Sequence, residues 1–262
     1  MKPSLLVHDL HQRYGGVHAL KGISFEVLAG ECVALIGPNG AGKSTCFACL
    51  AGQQNAIQGQ VTWRQKTLMN LPAEGRRAIG IARTFQVAQV FEALSVFQNL
   101  QLALKASSGL SMLDSLDRCE VDAAWYWLEK MGLNHLSEQA LHEPAMHLSY
   151  GAKKRLELAL AMAGLKEPSA GLLLLDEPAA GLSPEERTDM MQRVKALAKQ
   201  GTTVLYTEHN MDAVFGVADR VLVLMEGQLV AQGLPHEVAA NPLVRDRYLG
   251  TSLDSLGFAG HA

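Results

Sequence analysis

The run Gly37-Pro38-Asn39-Gly40-Ala41-Gly42-Lys43-Ser44 has the residue types and the spacing of a polyphosphate cradle. Its glycines permit positive φ and leave room, so successive backbone N–H groups can turn inward around an anion at a helix N-terminus. Lys43 has the reach for the outer phosphates, Ser44 supplies a hydroxyl suited to Mg²⁺, and Thr45 is a further donor beside it. A second cluster lies far along the chain, in Leu172-Leu173-Leu174-Leu175-Asp176-Glu177-Pro178. Four successive apolar residues predict a strand buried on both faces, and it ends in two adjacent carboxylates. Asp176 suits a ligand of Mg²⁺, direct or through water, and Glu177 suits a general base that polarises an attacking water. The third element is Leu148-Ser149-Tyr150-Gly151. Leu156, Leu160 and Ala163 follow it at helical spacing, so Ser149 falls where a helix cap belongs and its helix N-terminus suits another anion.

These groups need a frame. The cradle follows the apolar run Cys32–Ile36 and precedes residues 45–50, which have the character of a helix, giving strand, glycine loop and helix in succession. Residues 5–35 carry short alternating and apolar runs broken by Gly15-Gly16 and Gly30, which predict an antiparallel β-region, and residues 59–63 continue it. From about 90 to 165 the periodicity is helical, over 96–104, 122–131 and 152–165. Beyond 171 strands alternate with helices: strands at 172–175, 203–206, 221–225 and 229–231, with a helix over 184–199. The expected fold class is α/β, with a mostly parallel sheet flanked by helices.

In their order these motifs resemble the ATP-binding cassette family, the nucleotide-binding subunits of ABC transporters, from about residue 5 to 250. The resemblance implies a P-loop NTPase cassette with a RecA-like core, an antiparallel β-subdomain and an inserted α-helical subdomain. It implies one domain over 1–250, its RecA-like and β lobe at about 1–88 and 166–250 and its helical subdomain at about 89–165, followed by a flexible tail at 251–262. ATP and Mg²⁺ are the implied ligands. Tyr14 matches the aromatic residue that stacks on adenine, and Gly37, Pro38, Asn39, Gly40, Ala41, Gly42, Lys43, Ser44 and Thr45 match the phosphate loop. Gln86, in Arg83-Thr84-Phe85-Gln86, matches the Q-loop glutamine that contacts Mg²⁺ and the attacking water. Ser149 and Gly151 match the signature motif, residues 180–183 the loop after the catalytic glutamate, and His209 the switch histidine. Metal ligation thus falls to Ser44, Gln86 and Asp176, and catalysis to Glu177, His209 and Gln86.

In this family the signature serine serves the γ-phosphate held by the opposite subunit. One chain carries one set of motifs, so the resemblance implies a second ABC cassette as partner, in a homodimer or a heterodimer. Three positions depart from the commonest pattern: Tyr150 replaces a glycine, Ala152 stands where glutamine is frequent, and Ser183 stands where aspartate is usual. Ser183 keeps a hydroxyl but loses the charge that speaks to the partner. The Arg83-Thr84-Phe85-Gln86 loop, residues 179–185, and the ending 233–250 are similar to cassettes of branched-chain amino-acid importers, with urea and short-chain amide importers closely related. The implied partners are integral membrane permease subunits, met at the groove around residues 87–91, and, indirectly, a periplasmic or extracellular substrate-binding protein.

Composition fits such an ATPase. The chain has 262 residues, 48% of them hydrophobic and 19% charged, enough for a sizeable core. Its longest apolar runs stop far short of the roughly 20 residues that span a bilayer. The opening Met1-Lys2-Pro3-Ser4 lacks the features of a secretory signal, so the expected place is the cytoplasmic side of the cell membrane, peripherally attached. A net charge of -3 without a basic tract offers little to a phosphate backbone and argues against a nucleic-acid partner; Lys153-Lys154-Arg155 belongs with the signature helix. Cys46 and Cys49 fall among the apolar residues of the helix after the cradle, and His135, Glu138 and His142 lack a further ligand, so neither group predicts a structural metal. Residues 125–127, Trp-Tyr-Trp, cannot share one helical face, so at least one ring must look outward.

Overall fold

A computed structural model describes residues 3–108, 121–136 and 138–249; the expected tail at 251–262 lies outside them. The chain opens with two long strands, β1 (Pro3–Tyr14) and β2 (Val17–Leu28), paired antiparallel across a tight turn at Gly15 and Gly16. Strand β3 (Cys32–Ile36) leads through the glycine loop into α1 (Lys43–Ala51). Then come β4 (Gln58–Trp63), β5 (Lys66–Thr67), α2 (Ala73–Ala78) and β6 (Ile81–Arg83). Helices α3 (Val96–Ser108), α4 (Val121–Lys130), α5 (Glu138–His142) and α6 (Tyr150–Ala163) form the helical stretch. The chain closes with β7 (Leu172–Asp176), α7 (Pro184–Lys199), β8 (Thr203–Thr207), α8 (Met211–Phe215), β9 (Arg220–Met225), β10 (Gln228–Gly233) and α9 (Pro235–Ala240).

Among the described residues the strands form two sheets, one of four strands in the order β2-β1-β4-β5 and one of six in the order β10-β9-β3-β8-β7-β6. The first is antiparallel. The second is parallel except for its edge hairpin β9-β10.

The strict alternation of side chains along buried strands divides the interior in two. Cys32, Ala34 and Ile36 of β3, with Leu173 and Leu175 of β7 and Val204 and Tyr206 of β8, face a core shared with α3, α4, α6 and α7. Val33 and Leu35, with Leu172, Leu174 and Leu205, face a second core made with α1 and the inner face of the four-stranded sheet. Helix α1 is thus wedged between two sheets, and Phe47, Cys46 and Leu50 are fully buried there. Burial pushes the Cys46 thiol well above its ordinary range, which makes the Cys46/Cys49 pair packing rather than redox chemistry.

Helix boundaries follow local chemistry. Helix α1 begins at Lys43, two residues earlier than the sequence pattern suggests, because Gly42 adopts φ 108° and turns the chain out of the loop. Ser149 caps α6 by accepting the Ala152 N–H at 3.2 Å, so that helix also starts two residues early. Of the three consecutive aromatics on α4, Trp127 is buried while Trp125 and Tyr126 are exposed. No helix among the described residues is long and apolar enough to cross a membrane.

The C-terminal end of α1 is closed by a side chain from elsewhere. Buried Arg76 donates to the carbonyls of Leu50 at 2.7 Å, Leu68 at 2.7 Å and Leu71 at 2.8 Å, and also to that of Cys49. It satisfies carbonyls that a helix end leaves open and places a positive charge at the negative end of the helix dipole. Arg76→Ala should therefore cost about 2–4 kcal/mol of stability, read from urea unfolding of the two proteins side by side.

Candidate active site

Strands β3, β7 and β8 run parallel, and their register pairs Leu35 with Thr207 and Thr207 with Asp176. The segments that follow them therefore leave the sheet at one level and side by side: the glycine loop, Glu177, and Glu208 with His209. Ligands bind at the carboxyl ends of such strands.

The glycine loop is built by close approach. Gly37 sits at φ 149°, and a Cβ there would lie 2.0 Å from the carbonyl oxygen of Leu224; at Gly42 it would lie 2.6 Å from that of Ala19. Gly40, at φ 78°, has open space around it. The Ala41 carbonyl accepts the Gly227 N–H at 2.9 Å, tying the loop to the β9-β10 turn. Lys43 Nζ donates to the carbonyls of Gly37 at 2.6 Å and Pro38 at 3.1 Å, folding its charge back into the loop. Burial holds the Lys43 ammonium below its usual value, opposed by the nearby carboxylates of Glu177 and Asp176. No side chain caps α1, so its first N–H groups are left for an anion.

A cavity of about 300 Å³ covers this surface, lined by Asn39 to Thr45 together with Glu177 and His209. Its wall on the β-sheet side comes from Val17, His18, Ala19 and Lys21. Tyr14, the expected adenine partner, stands exposed at the end of β1 beside that wall, cross-strand from Val17.

Glu177 is held at both carboxylate oxygens: His209 Nε2 lies 2.9 Å from Oε1, and Gln86 Nε2 donates to Oε2 at 3.1 Å. Its backbone sits in the left-handed region at φ 49°, a conformation that costs energy for a residue with a side chain. Thr207 holds it there, its hydroxyl accepting the Glu177 N–H at 3.1 Å while donating to Asp176 Oδ1 at 2.9 Å. Arg83 Nη2 meets the other Asp176 oxygen at 2.9 Å. Asp176 therefore joins the Q-loop to the end of β7, and an oxygen set of Ser44 hydroxyl, Gln86 amide and Asp176 carboxylate is the hard chemistry that Mg²⁺ prefers.

Glu208 is a buried structural link beside the site that the sequence reading missed. It is buried and accepts N–H bonds from Ala179 at 2.9 Å and His209 at 3.2 Å, linking the loop after Glu177 to the histidine segment. The available signal was a charged residue directly after a strand buried throughout.

Ser149 and Gly151 are not among the residues lining the cavity. Ser149 is exposed at the start of α6, and because its oxygen only accepts the Ala152 N–H, its proton is free to be donated outward. Gly151 packs closely against Glu186, whose Oε1 would lie 2.4 Å from a Cβ there, so a larger residue would push that side chain aside. Two of the three departures from the usual pattern have physical reasons. Ser183 caps α7 in a reciprocal box with Glu186, at 3.2 and 3.1 Å, so its hydroxyl serves the helix. The Tyr150 ring lies over Gly181, and its hydroxyl donates to the Gln86 carbonyl at 3.3 Å.

A glycine-loop helix wedged under a mostly parallel sheet, with a tethered carboxylate and a histidine facing it, defines a nucleotide-binding P-loop cassette. The family model described as ABC transporter matches residues 20–180. The high-affinity branched-chain amino acid transport ATP-binding protein LivG of Salmonella typhimurium is 38% identical over 260 residues, covering 95% of this chain and 98% of that protein. BraF of Pseudomonas aeruginosa, described in the same words, is 33% identical over 259 residues, covering 95% and 98%. Among solved structures, the ADP conformation of MJ1267, an ATP-binding cassette of an ABC transporter, aligns with a TM-score of 0.82 and 30% identity over 95% of this chain and 100% of that one. The chain belongs to the ABC transporter family as an ATP-binding cassette. It is a nucleotide-binding ATPase.

Burial holds the Glu208 carboxyl above its ordinary value of 4.5. A raised acid contributes stability that is complete below the unfolded value and lost as pH rises through the folded one. Unfolding free energy measured by urea at a series of pH values from 4.5 upward should fall less steeply in Glu208→Gln than in the parent.

Proposed function

We propose that this chain is the ATP-hydrolysing subunit of an ABC importer for branched-chain or related amino acids, working as one of two cassettes on the cytoplasmic face of the membrane. The observation that carries the hydrolytic part is Glu177, fixed between His209 and Gln86 opposite the glycine loop. The cargo rests on likeness to the transport proteins of Salmonella typhimurium and Pseudomonas aeruginosa, since nothing in the cassette touches what is carried.

The N–H groups of residues 40–45 cradle the β- and γ-phosphates, and Lys43 exchanges the Gly37 and Pro38 carbonyls for phosphate oxygens. Adenine lies toward the β1-β2 turn, where Tyr14 is the stacking candidate. Ser44, Gln86 and Asp176 would hold Mg²⁺, which when bound neutralises developing phosphate charge. Glu177 accepts the proton of the attacking water, and its two tethers keep that carboxylate aimed. Ser149 and the N-terminus of α6 complete the site on the partner cassette, in keeping with their exposure outside this chain's own cavity. Closure of the two cassettes then does mechanical work on the permease subunits, and hydrolysis reopens them.

The permease has a suitable seat. A groove of about 610 Å³ between the core and the helical layer is lined by Phe85, Gln89, Phe91, Leu102 and Ala103, and Phe91 is exposed there, as is Val87 in the same segment. Glu177→Gln should lower turnover by about 10²- to 10⁴-fold while ATP still binds and a dimer accumulates on size exclusion; Lys43→Ala should weaken binding itself. Full ATPase activity in Glu177→Gln would remove that residue from the role of base.

A further inference from the structure

The signature helix also grips the Q-loop of its own chain. On α6, five and eight residues beyond Ser149, Lys154 and Glu157 are both buried. Glu157 Oε1 accepts the N–H groups of Phe85 at 3.0 Å and Gln89 at 3.2 Å. Lys154 Nζ donates to the carbonyls of Phe85 at 2.9 Å and Gln86 at 2.6 Å, and lies 3.9 Å from Glu157 Oε2. The main chain on both sides of Gln86 is therefore bonded to a single helix turn, through donors and acceptors alike. The other two basic residues of the run point elsewhere, Lys153 to Glu92 at 2.7 Å and Arg155 to Asp189 at 3.0 Å, so only Lys154 serves this clamp.

Burying an ammonium and a carboxylate costs free energy that a 3.9 Å pair recovers only in part; the backbone groups that the two side chains satisfy supply the rest. What the charged pair adds is direction: it fixes the Q-loop backbone in one register on α6 with four hydrogen bonds. Glu157 also lines the groove beside Phe85 and Gln89, so an occupant of that groove bears on the same loop.

We propose that Lys154 and Glu157 are positioning residues that make Gln86 move with the signature helix, so that the helix reading the partner's ATP sets the Gln86 contact to Glu177 in its own site. The two sites of the dimer are then coupled through one helix in each chain. This rests on the two-cassette reading above.

The test compares Glu157→Leu, Glu157→Gln and Lys154→Met in steady-state ATPase assays, with fluorescent ATP analogue binding and amide hydrogen exchange alongside. Glu157→Leu keeps volume but loses the acceptor, whereas Glu157→Gln keeps an acceptor for both N–H groups. The expected result is a kcat about tenfold or more lower in Glu157→Leu and Lys154→Met with KM for ATP and analogue affinity within about threefold, and substantial recovery of kcat in Glu157→Gln. Exchange at the Phe85 and Gln89 amides should speed up in Glu157→Leu and remain slow in Glu157→Gln. Should Glu157→Leu fail to fold, Lys154→Met and Glu157→Gln carry the comparison. A kcat within about twofold of the parent in the folded variants overturns the clamp, as does a loss that Glu157→Gln shares in full or that tracks nucleotide affinity. If Glu177→Gln accumulates a dimer while the clamp variants turn over normally, only the clamp is wrong; if no dimer forms, the coupling falls together with the two-cassette reading.

Discussion

The register of three parallel strands is the constraint on which the site depends. Leu35, Thr207 and Asp176 stand abreast in β3, β8 and β7, so the loops that follow emerge together without any long connection having to find its place. Thr207 turns that alignment into chemistry: its single hydroxyl accepts the Glu177 N–H and donates to Asp176, setting the left-handed turn that points Glu177 toward the cradle. A shift by one residue would reverse every inward and outward side chain and break both bonds. The penalty of such a shift is high because β3, β7 and β8 are buried on both faces.

Around this alignment the polar groups form one connected system. Arg83 joins the Q-loop to Asp176, Gln86 and His209 join Glu177, and Glu208 joins the segments that follow β7 and β8. Most of these are charge-assisted bonds in a partly buried setting, where a lost partner is expensive and geometry is correspondingly strict. The loop before the helical layer and the helix after it are thus parts of the same assembly as the carboxylate they serve.

Much of the architecture was legible in the chain because it is written in local pattern. The glycine loop, the four-leucine strand and the Ser149 cap depend on neighbours within a few residues, and the structure places strand, loop and helix accordingly. The helix Pro184–Lys199 lies over the residues expected for it, and the structure shows why its start is sharp: Ser183 caps it and Pro184 opens it. What escaped was made by distance in sequence. Arg83 meets Asp176 across 93 residues, Glu157 meets the Phe85 amide across 72, and Glu208 meets Ala179 across 29. A buried charge gives no sign in sequence of which backbone groups it will satisfy, and its composition reads as an ordinary solvated helix face.

The alternation along the six-stranded sheet gives the molecule two interiors that share a wall. Positions 33, 35, 172 and 174 are answerable to the core around the glycine-loop helix, and positions 34, 36, 173 and 175 to the core of the helical layer. Adjacent residues on one strand are therefore tuned to different tasks. A change of volume at position 34 is felt by the helical layer and one at position 35 by the glycine-loop helix, although the two side chains spring from neighbouring residues.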